Sequence, residues 1–385
     1  MGSKKSTAGC SPAAAASSGN MFGADPHKRT VTASVLDERG GLLGTETFRV
    51  SGDGHRAMET WALQFGPIVR WGIEGASGLG RHTSMYLIGH GHDVRDVCPT
   101  RTAVQSRRRH EGKTDALDSV RVARETQTDP GMPAAFKRAG GDAGPDETHE
   151  LLSLWHKARR SILKSRQHLL NEAEHLLGEL PEELRAGLPD STDVRLRLRA
   201  LAAREPRPAD PATALRLQLL DRHWAAVCDL DAQDREAANA LKTLAQRAGS
   251  TLHEVCGIAA RIEAELLVEI GDPRRFTGEG GFARFNGTAP LPASSGEGDG
   301  QPVRHRLNRG GNRRVNACLH RMAVTQLRCD PRARKIYDDA RARGHTKKEA
   351  MRVLKRHLSD VVYRRLTRDV HARQATPNDE LRRTA

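Results

Sequence analysis

Short alternating runs of apolar and polar residues fill the first part of the chain, and helical spacing takes over in the rest. Residues 22–25 and 30–36 carry β-branched and apolar side chains and predict two strands. Glu38-Arg39-Gly40-Gly41 is a turn signal, and residues 42–50 predict the returning strand. A helix is expected at about 55–65, a strand at 68–74, a helix at about 80–89 and a short strand at 93–97 ended by Pro99. Strand hairpins followed by strand–helix–strand predict a mixed α/β sheet. From about 145 to 180 the period changes. Trp155, Ile162, Leu169 and Leu176 recur every seven residues, with Leu151, Ala158 and Ala173 filling the stripe. A second amphipathic helix, about 214–247, sets Leu217, Leu220, Trp224 and Val227 on one stripe and resumes with Leu241 and Leu244. Asp231 and Asp234 interrupt it. The two helices can pair with each other or with another subunit. Residues 252–369 predict a helical region broken by a Gly/Ser/Pro-rich loop at 286–302.

These patterns give the chain of 385 residues an α/β part followed by α parts. The expected divisions are a disordered extension (1–20), an α/β domain (21–130), a helical coiled-coil region (145–250), a mainly helical C-terminal domain (251–371) and a frayed tail (372–385). No apolar run is long enough to cross a membrane and no secretory signal is visible, so a cytoplasmic location is expected. The six cysteines form no CxxC pair and read as reduced thiols in cores.

Charge narrows the partners. Lys and Arg number 62 against 48 Asp and Glu, a formal net charge of +14. A polyanion, DNA or RNA, is the simplest partner for that surplus. From Gln301 to Arg328 there is no acid, but Arg304, Arg306, Arg309, Arg313, Arg314, Arg321 and Arg328 are all present. Such a run suits phosphate contacts, which set affinity rather than sequence.

Four acids stand out by position. Asp25 and Glu74 fall at predicted strand ends, and Asp115 and Asp118 lie three apart at the start of a predicted helix, on one helical face. A carboxylate cluster raises its own pKa values unless cations relieve the repulsion. Two Mg²⁺ or Mn²⁺ ions about 3.5–4 Å apart would relieve it and hold the attacking and leaving oxygens of a phosphodiester displacement. Each acid also has a plainer reading, Asp25 as a turn residue and Asp115 as part of a helix cap.

Three stretches, FGADPHKRTVTASVLDERGGLL, WGIEGASGLGRHTSMYLIGHGHDVRDVCPTR and GKTDALDSVRVARE, together resemble the N-terminal domain of the DEDD transposases of the insertion-sequence 110 family, an architecture shared with Piv-type DNA invertases. The later run CGIAARIEAELLVEIGDPRRF…FARFNGTAPLPASSGEG…HRLNRGGNRRVN resembles that family's second conserved domain. The resemblance implies a RuvC/RNase H-like N-terminal domain with Asp25, Glu74, Asp115 and Asp118 as a metal-binding tetrad for Mg²⁺ or Mn²⁺. It implies a catalytic serine before a glycine, matched by Ser295-Gly296 after Gly287-Thr288-Ala289-Pro290, with Ser294 as the adjacent alternative. It further implies donor and target double-stranded DNA, a structured guide RNA, a bacterial, nucleoid-associated enzyme, and a homo-oligomer, dimer to tetramer, whose subunits share composite sites. Lys113, Arg304, Arg306, Arg309, Arg313 and Arg314 are the candidate nucleic-acid contacts. A Piv-like invertase acting without a guide and a non-catalytic nucleic-acid-binding protein are the alternatives. Departures from the family pattern are Gly257-Ile258-Ala259 in place of Gly-Ile-Gly, Cys98-Pro99 in place of Asn-Pro, and Val315-Asn316 in place of Leu-Arg. None touches the tetrad or the serine.

Overall fold

A computed structural model describes residues 19–97, 114–129, 131–204, 210–292, 305–306 and 311–383, without the side chains of 291–292, 305–306 and 376–383. The chain forms two compact units, Met1–Pro145 and Asp146–Ala385.

The first unit is built on a five-stranded mixed sheet. Its strands are β1 (Asn20–Pro26), β2 (Thr30–Leu36), β3 (Leu42–Arg49), β4 (Ile68–Glu74) and β5 (Val94–Val97), in the order β3-β2-β1-β4-β5. β2 runs antiparallel to β1 and to β3, whereas β4 runs parallel to β1 and β5 parallel to β4. Side chains alternate across a strand, so the sequence assigns each residue a face. Phe22 and Ala24 of β1 and Trp71 and Ile73 of β4 enter one buried core with Met58, Ala62 and Leu87, drawn from helices α1 (Gly52–Leu63) and α2 (Arg81–Gly89). Phe22 and Trp71 stack there at 4.5 Å between ring centroids.

Helix α3 (Asp115–Thr128) covers the residues between these core positions. A Cβ on Gly23 would lie 2.1 Å from the Ala123 amide nitrogen and 2.5 Å from the Ser119 carbonyl. On Gly72 it would lie 1.8 Å from Thr126 Oγ1. The helix therefore rests on bare backbone of β1 and β4. Ser119 Oγ also meets Ser34 Oγ of β2 at 2.7 Å in a buried contact, and Gln127 Nε2 donates to the Asp37 carbonyl at 2.9 Å.

The second unit begins with two long antiparallel helices, α4 (Glu147–Gly178) and α7 (Pro211–Arg247), which pair within the chain. The short helices α5 (Glu182–Arg185) and α6 (Val194–Ala202) close one end, where Leu198 and Leu201 pack with Ala173, Leu177 and Leu220. The seam differs from the sequence expectation. Trp155, Ile162, Leu169 and Leu176 are half-buried, with Trp155 and Leu176 packed against the cores at the two ends, and Ala158 is exposed. The buried positions fall beside that stripe, on a line through Leu152, His156, Ala173 and Leu177 that the half-buried Arg159, Leu163, Arg166 and Leu170 join in steps of four and three residues. Hydrophobic counting misses it because its middle is polar. Arg159 Nε donates to Asp234 at 2.6 Å, Arg166 Nη1 donates to Asp231 at 2.8 Å, and Arg195 of α6 also pairs with Asp231. The two acids that break the apolar stripe are thus the partners of two arginines that break the facing one.

Helices α8 (Ala260–Ile270), α9 (Gly278–Asn286), α10 (Arg313–Cys329), α11 (Pro331–Ala342) and α12 (Lys347–Arg383) complete this unit. Their core includes Leu266, Phe282, Leu319, Met322, Leu354 and Val362. The helical pair shares a smaller core with α8, where Leu152, Leu241 and Leu244 meet Ala264 and Val268. The long helical pair and the C-terminal helices thus fold as one unit. α12 continues past residue 372, where the sequence predicts a frayed tail. Of the cysteines in the described residues, Cys318 is buried whereas Cys228, Cys256 and Cys329 are exposed, so the expectation of core thiols holds for Cys318 alone. Among the described residues no helix is long and apolar enough to cross a membrane.

Two outcomes follow. Gly23→Val forces α3 off the sheet and should destabilise the first unit by roughly 1–3 kcal/mol or more, read as a lower urea midpoint. Asp234→Leu alone leaves Arg159 unpaired and should cost about 1–3 kcal/mol, whereas Arg159→Leu with Asp234→Leu should recover most of that loss.

Candidate functional site

The same alternation that seats α3 also brings the acids together. Gly23 and Asp25 lie on one face of β1, and Gly72 and Glu74 lie on that face of β4. Ala24 pairs with Ile73, so Asp25 and Glu74 are each one residue further along neighbouring parallel strands. From Gly23 to Asp25 the strand advances about 6.6 Å, and from Ser119 back to Asp115 the helix advances about 6 Å. The matched distances carry Asp115 to Asp25. Thr114 fixes where the helix starts, because its side chain accepts from the Leu117 amide.

His27 stands between two of these acids. Its Nε2 is 3.2 Å from Asp115 Oδ1 and 3.5 Å from Asp25 Oδ2. One ligand atom from each of Asp25, His27 and Asp115 lies within 4.8 Å of the other two. Asp118 Oδ1 accepts from Arg121 Nη1 at 2.5 Å, and the Arg121 side chain is buried. Burial pushes the Asp25 carboxyl up to about 6, and the charges of Glu74, Asp118 and Asp115 push the same way, against an opposing pull from His27. The carboxylates therefore form an interacting group centred on Asp25, with the His27 imidazole beside it and the Arg121 guanidinium as a local countercharge.

This donor set fits a hard divalent cation. Carboxylate oxygens suit Mg²⁺ or Mn²⁺, and a cation would lower the strained pKa of Asp25. Asp25, Glu74, Asp115 and Asp118 are the residues that can hold it, with the His27 imidazole beside Asp25 and Asp115. His27 and Arg121 are absent from the sequence expectations. Their signals are local: His27 follows Asp25 by two residues, and Arg121 follows Asp118 by one helical turn.

A second feature lies in the other unit. Ser294, Ser295, Arg304 and Arg309 fall outside the described residues, as does Lys113, and Arg306 is described only as backbone. What is described is the base of the serine loop. The strands β6 (Leu291–Pro292) and β7 (His305–Arg306) pair as an antiparallel stem. A Cβ on Gly311 would sit 2.3 Å from the Gly287 amide nitrogen, so the chain touches itself below the stem. The Asn312 amide donates to the Phe285 carbonyl at 2.6 Å. The Asn312 side chain caps α10, accepting from the Arg314 and Val315 amides, and its Nδ2 donates to Glu269 at 2.9 Å. On the opposite side Asn286, fully buried, donates to Ser359 at 2.8 Å and accepts from Thr288. Lys355 donates to Asn316 at 2.8 Å, and Asn316 donates to the Asn286 carbonyl. Burial holds the Lys355 ammonium below its usual range.

Arginines of the acid-free stretch divide in two. Arg313 is exposed in the first turn of α10. Arg314 donates to Glu269 at 2.6 Å and Arg321 to Glu265 at 2.6 Å, so part of the basic run serves acids of α8.

An α/β unit with acids at its strand ends, followed by a helical unit, is the part-by-part arrangement in which two transposase family models match this chain. Residues 22–180 match a family model described as a transposase, of the DEDD insertion-sequence 110 type, and residues 249–338 match one described as the transposase IS116/IS110/IS902 family. The chain belongs to this insertion-sequence 110 family of transposases. It is similar to the insertion element IS110 uncharacterized 43.6 kDa protein of Streptomyces coelicolor, 34% identical over 110 residues, or 28% of this chain and 26% of that protein. The matched stretch thus spans about a quarter of that relative's length.

The Asp25 environment yields a pH test. A carboxyl raised in the folded state penalises folding fully above its folded pKa and not at all below its unfolded one. In metal-free buffer Asp25→Asn should therefore stabilise the protein by about 1–3 kcal/mol at pH 7. The gain should shrink as pH falls from about 6 and vanish below about 4. Denaturant midpoints across that range check it.

Proposed function

We propose that the protein cuts and rejoins the DNA of an insertion element, with Asp25, Glu74, Asp115 and Asp118 holding a divalent metal ion. The observation that carries this reading is the group of acids on α3 and on two adjacent strand ends whose charges all raise the Asp25 carboxyl. Four carboxylates brought within mutual influence, two of them at a helix start, are costly without a cation and useful with one. The first unit is read as the RuvC/RNase H-like domain of the family, a reading supported by its mixed β3-β2-β1-β4-β5 sheet and by α3 across it. When bound, Mg²⁺ or Mn²⁺ supplies charge stabilisation at the scissile phosphate.

The chain's own residues take distinct tasks. The four carboxylates orient the metal, and Asp25, crowded and partly desolvated, is the most dependent on it. His27 holds Asp25 and Asp115 at a fixed separation. Arg121 shares the Asp118 carboxylate and keeps it from swinging away. Ser295, with Ser294 as the neighbouring alternative, is the proposed nucleophile. Its Oγ loses its proton and bonds to phosphorus, while the 3′ oxygen of the DNA leaves with the electrons of the broken bond and takes up a proton as a 3′ hydroxyl. A serine hydroxyl is a weak nucleophile and needs activation by a base or a metal, a task the carboxylate site is proposed to serve. Donor and target double-stranded DNA, a structured guide RNA and further copies of the chain are the proposed partners in the bacterial cytoplasm. Lys113, Arg304, Arg306, Arg309 and Arg313 are the proposed phosphate contacts, and Arg314, paired with Glu269, is no longer among them. Guide pairing would supply sequence selection, as in other RNA-guided proteins.

Alanine at Asp25, Glu74, Asp115 or Asp118 should reduce recombination by at least about 100-fold and weaken Mn²⁺ binding, with the fold intact by circular dichroism. Retained recombination by Asp118→Ala overturns its metal role. A protein–DNA adduct on denaturing gels should disappear in Ser295→Ala. Loss in Ser294→Ala instead moves the nucleophile by one residue.

A further inference from the structure

Cys256 and Cys329 lie far apart in sequence and together in space. Their Sγ atoms are 2.9 Å apart, 73 positions separate them along the chain, and both residues are exposed. Each sits on a fixed support. Cys256 follows the 3₁₀ turn Leu252–Glu254, whose Leu252 is fully buried. The Cys256 carbonyl accepts from Gln326 Nε2 at 2.7 Å, one turn before Cys329 on α10. A Cβ on Gly257 would lie 3.1 Å from the Met322 carbonyl, so the turn presses against the same helix. Cys329 is the last residue of α10, and its thiol donates to the Thr325 carbonyl at 3.3 Å. Neither sulfur belongs to the acid cluster or to the stem of the serine loop.

We propose that Cys256 and Cys329 are a modification site: a dithiol that a peroxide or a low-molecular-weight disulfide converts to an intramolecular disulfide. A bonded pair needs an S–S distance of about 2.0 Å, so closure requires a movement of about 1 Å. With peroxide, one thiol is oxidised to a sulfenic acid and one water leaves. The second sulfur then displaces the hydroxyl group as a second water, forming the S–S bond. Two thiols and one peroxide give one disulfide and two waters, and the thiol sulfurs lose the electrons that the peroxide oxygens gain. With a small disulfide as oxidant, exchange passes through a mixed disulfide and releases two small thiols. Hydrogen bonding with Cys329 is the main cause that holds the Cys256 thiol up at about 11. Reactivity here therefore comes from proximity rather than from a preformed thiolate. An exposed pair in a reducing compartment suits a reversible modification better than a structural bridge. Its effect is mechanical: the disulfide ties the turn at 252–257 to the C-terminal end of α10.

The full-length protein supplies the test. It is titrated with hydrogen peroxide or oxidised glutathione, free thiols are alkylated, and peptides are mapped without reduction. The expected result is a linked Cys256–Cys329 peptide, lost on adding dithiothreitol, while Cys228 and Cys318 remain alkylated. The oxidised protein should melt roughly 5–10 °C higher than the reduced protein. Cys256→Ser and Cys329→Ser should each abolish both the link and the shift. Full alkylation of Cys256 and Cys329 at doses that oxidise Cys228, or linked peptides joining other cysteines in equal amounts, overturns the proposal. Because Cys256→Ser keeps size and polarity, an unchanged melting midpoint in its reduced form separates loss of the link from misfolding.

Discussion

Direct contact between α3 and the sheet backbone at Gly23 and Gly72 is the constraint on which the first unit depends. At Gly23 the helix backbone itself meets the strand, and at Gly72 the Thr126 side chain fills the space a Cβ would take, so the helix has one allowed height above the sheet. Height, face and axial position then fix the acids together. Alternation places Asp25 and Glu74 on the face that receives the helix, and the helix repeat returns Asp115 and Asp118 to it. A longer side chain at either glycine would separate two charge-bearing elements as well as create a clash. Packing and chemistry here are the same interaction seen at different distances from the strand ends.

The second unit obeys another rule. Its helical pair is held by apolar residues at both ends and by two arginine–aspartate pairs in the middle. A continuous leucine seam tolerates sliding by one heptad, because each layer resembles the next. Charged layers do not, since a slip would bury Arg159 and Arg166 against leucine or alanine. The polar centre therefore selects one register at some expense in stability. Arg195 reinforces this choice from α6, tying the small helices to the same layer.

Most of the first unit was legible in the sequence. Strand β4 (Ile68–Glu74) and strand β2 (Thr30–Leu36) match their expected bounds, because β-branched runs ended by Gly or a turn leave little ambiguity. Asp25, Glu74, Asp115 and Asp118 could be picked out as acids at element ends. His27 and Arg121 could not, because nothing about a lone histidine or a helical arginine announces that it faces an acid across a fold. The seam of α4 was only half legible for a related reason. Counting only apolar residues selects Trp155, Ile162, Leu169 and Leu176, which make up one half-buried side of the interface. The inward line contains Arg159 and Arg166, whose inward placement makes sense only once their partners are known. The cysteines likewise carry no sequence signal for the Cys256–Cys329 approach, since proximity across 73 positions is a property of tertiary structure.

The pinched base of the serine loop has a consequence for how such proteins can vary. Gly287 touches Gly311, and Asn286 and Asn312 fasten the two sides to separate helices. The ends of the intervening segment are thus joined before its interior adopts any conformation. Closing a loop costs free energy that grows only with the logarithm of its length, about 0.6 kcal/mol per doubling. Residues between the two glycines can therefore be lengthened, shortened or exchanged with little effect on the helices beneath. The fixed frame at Asn286, Gly287, Gly311 and Asn312 thus sets where the segment begins and ends and leaves its sequence free to vary.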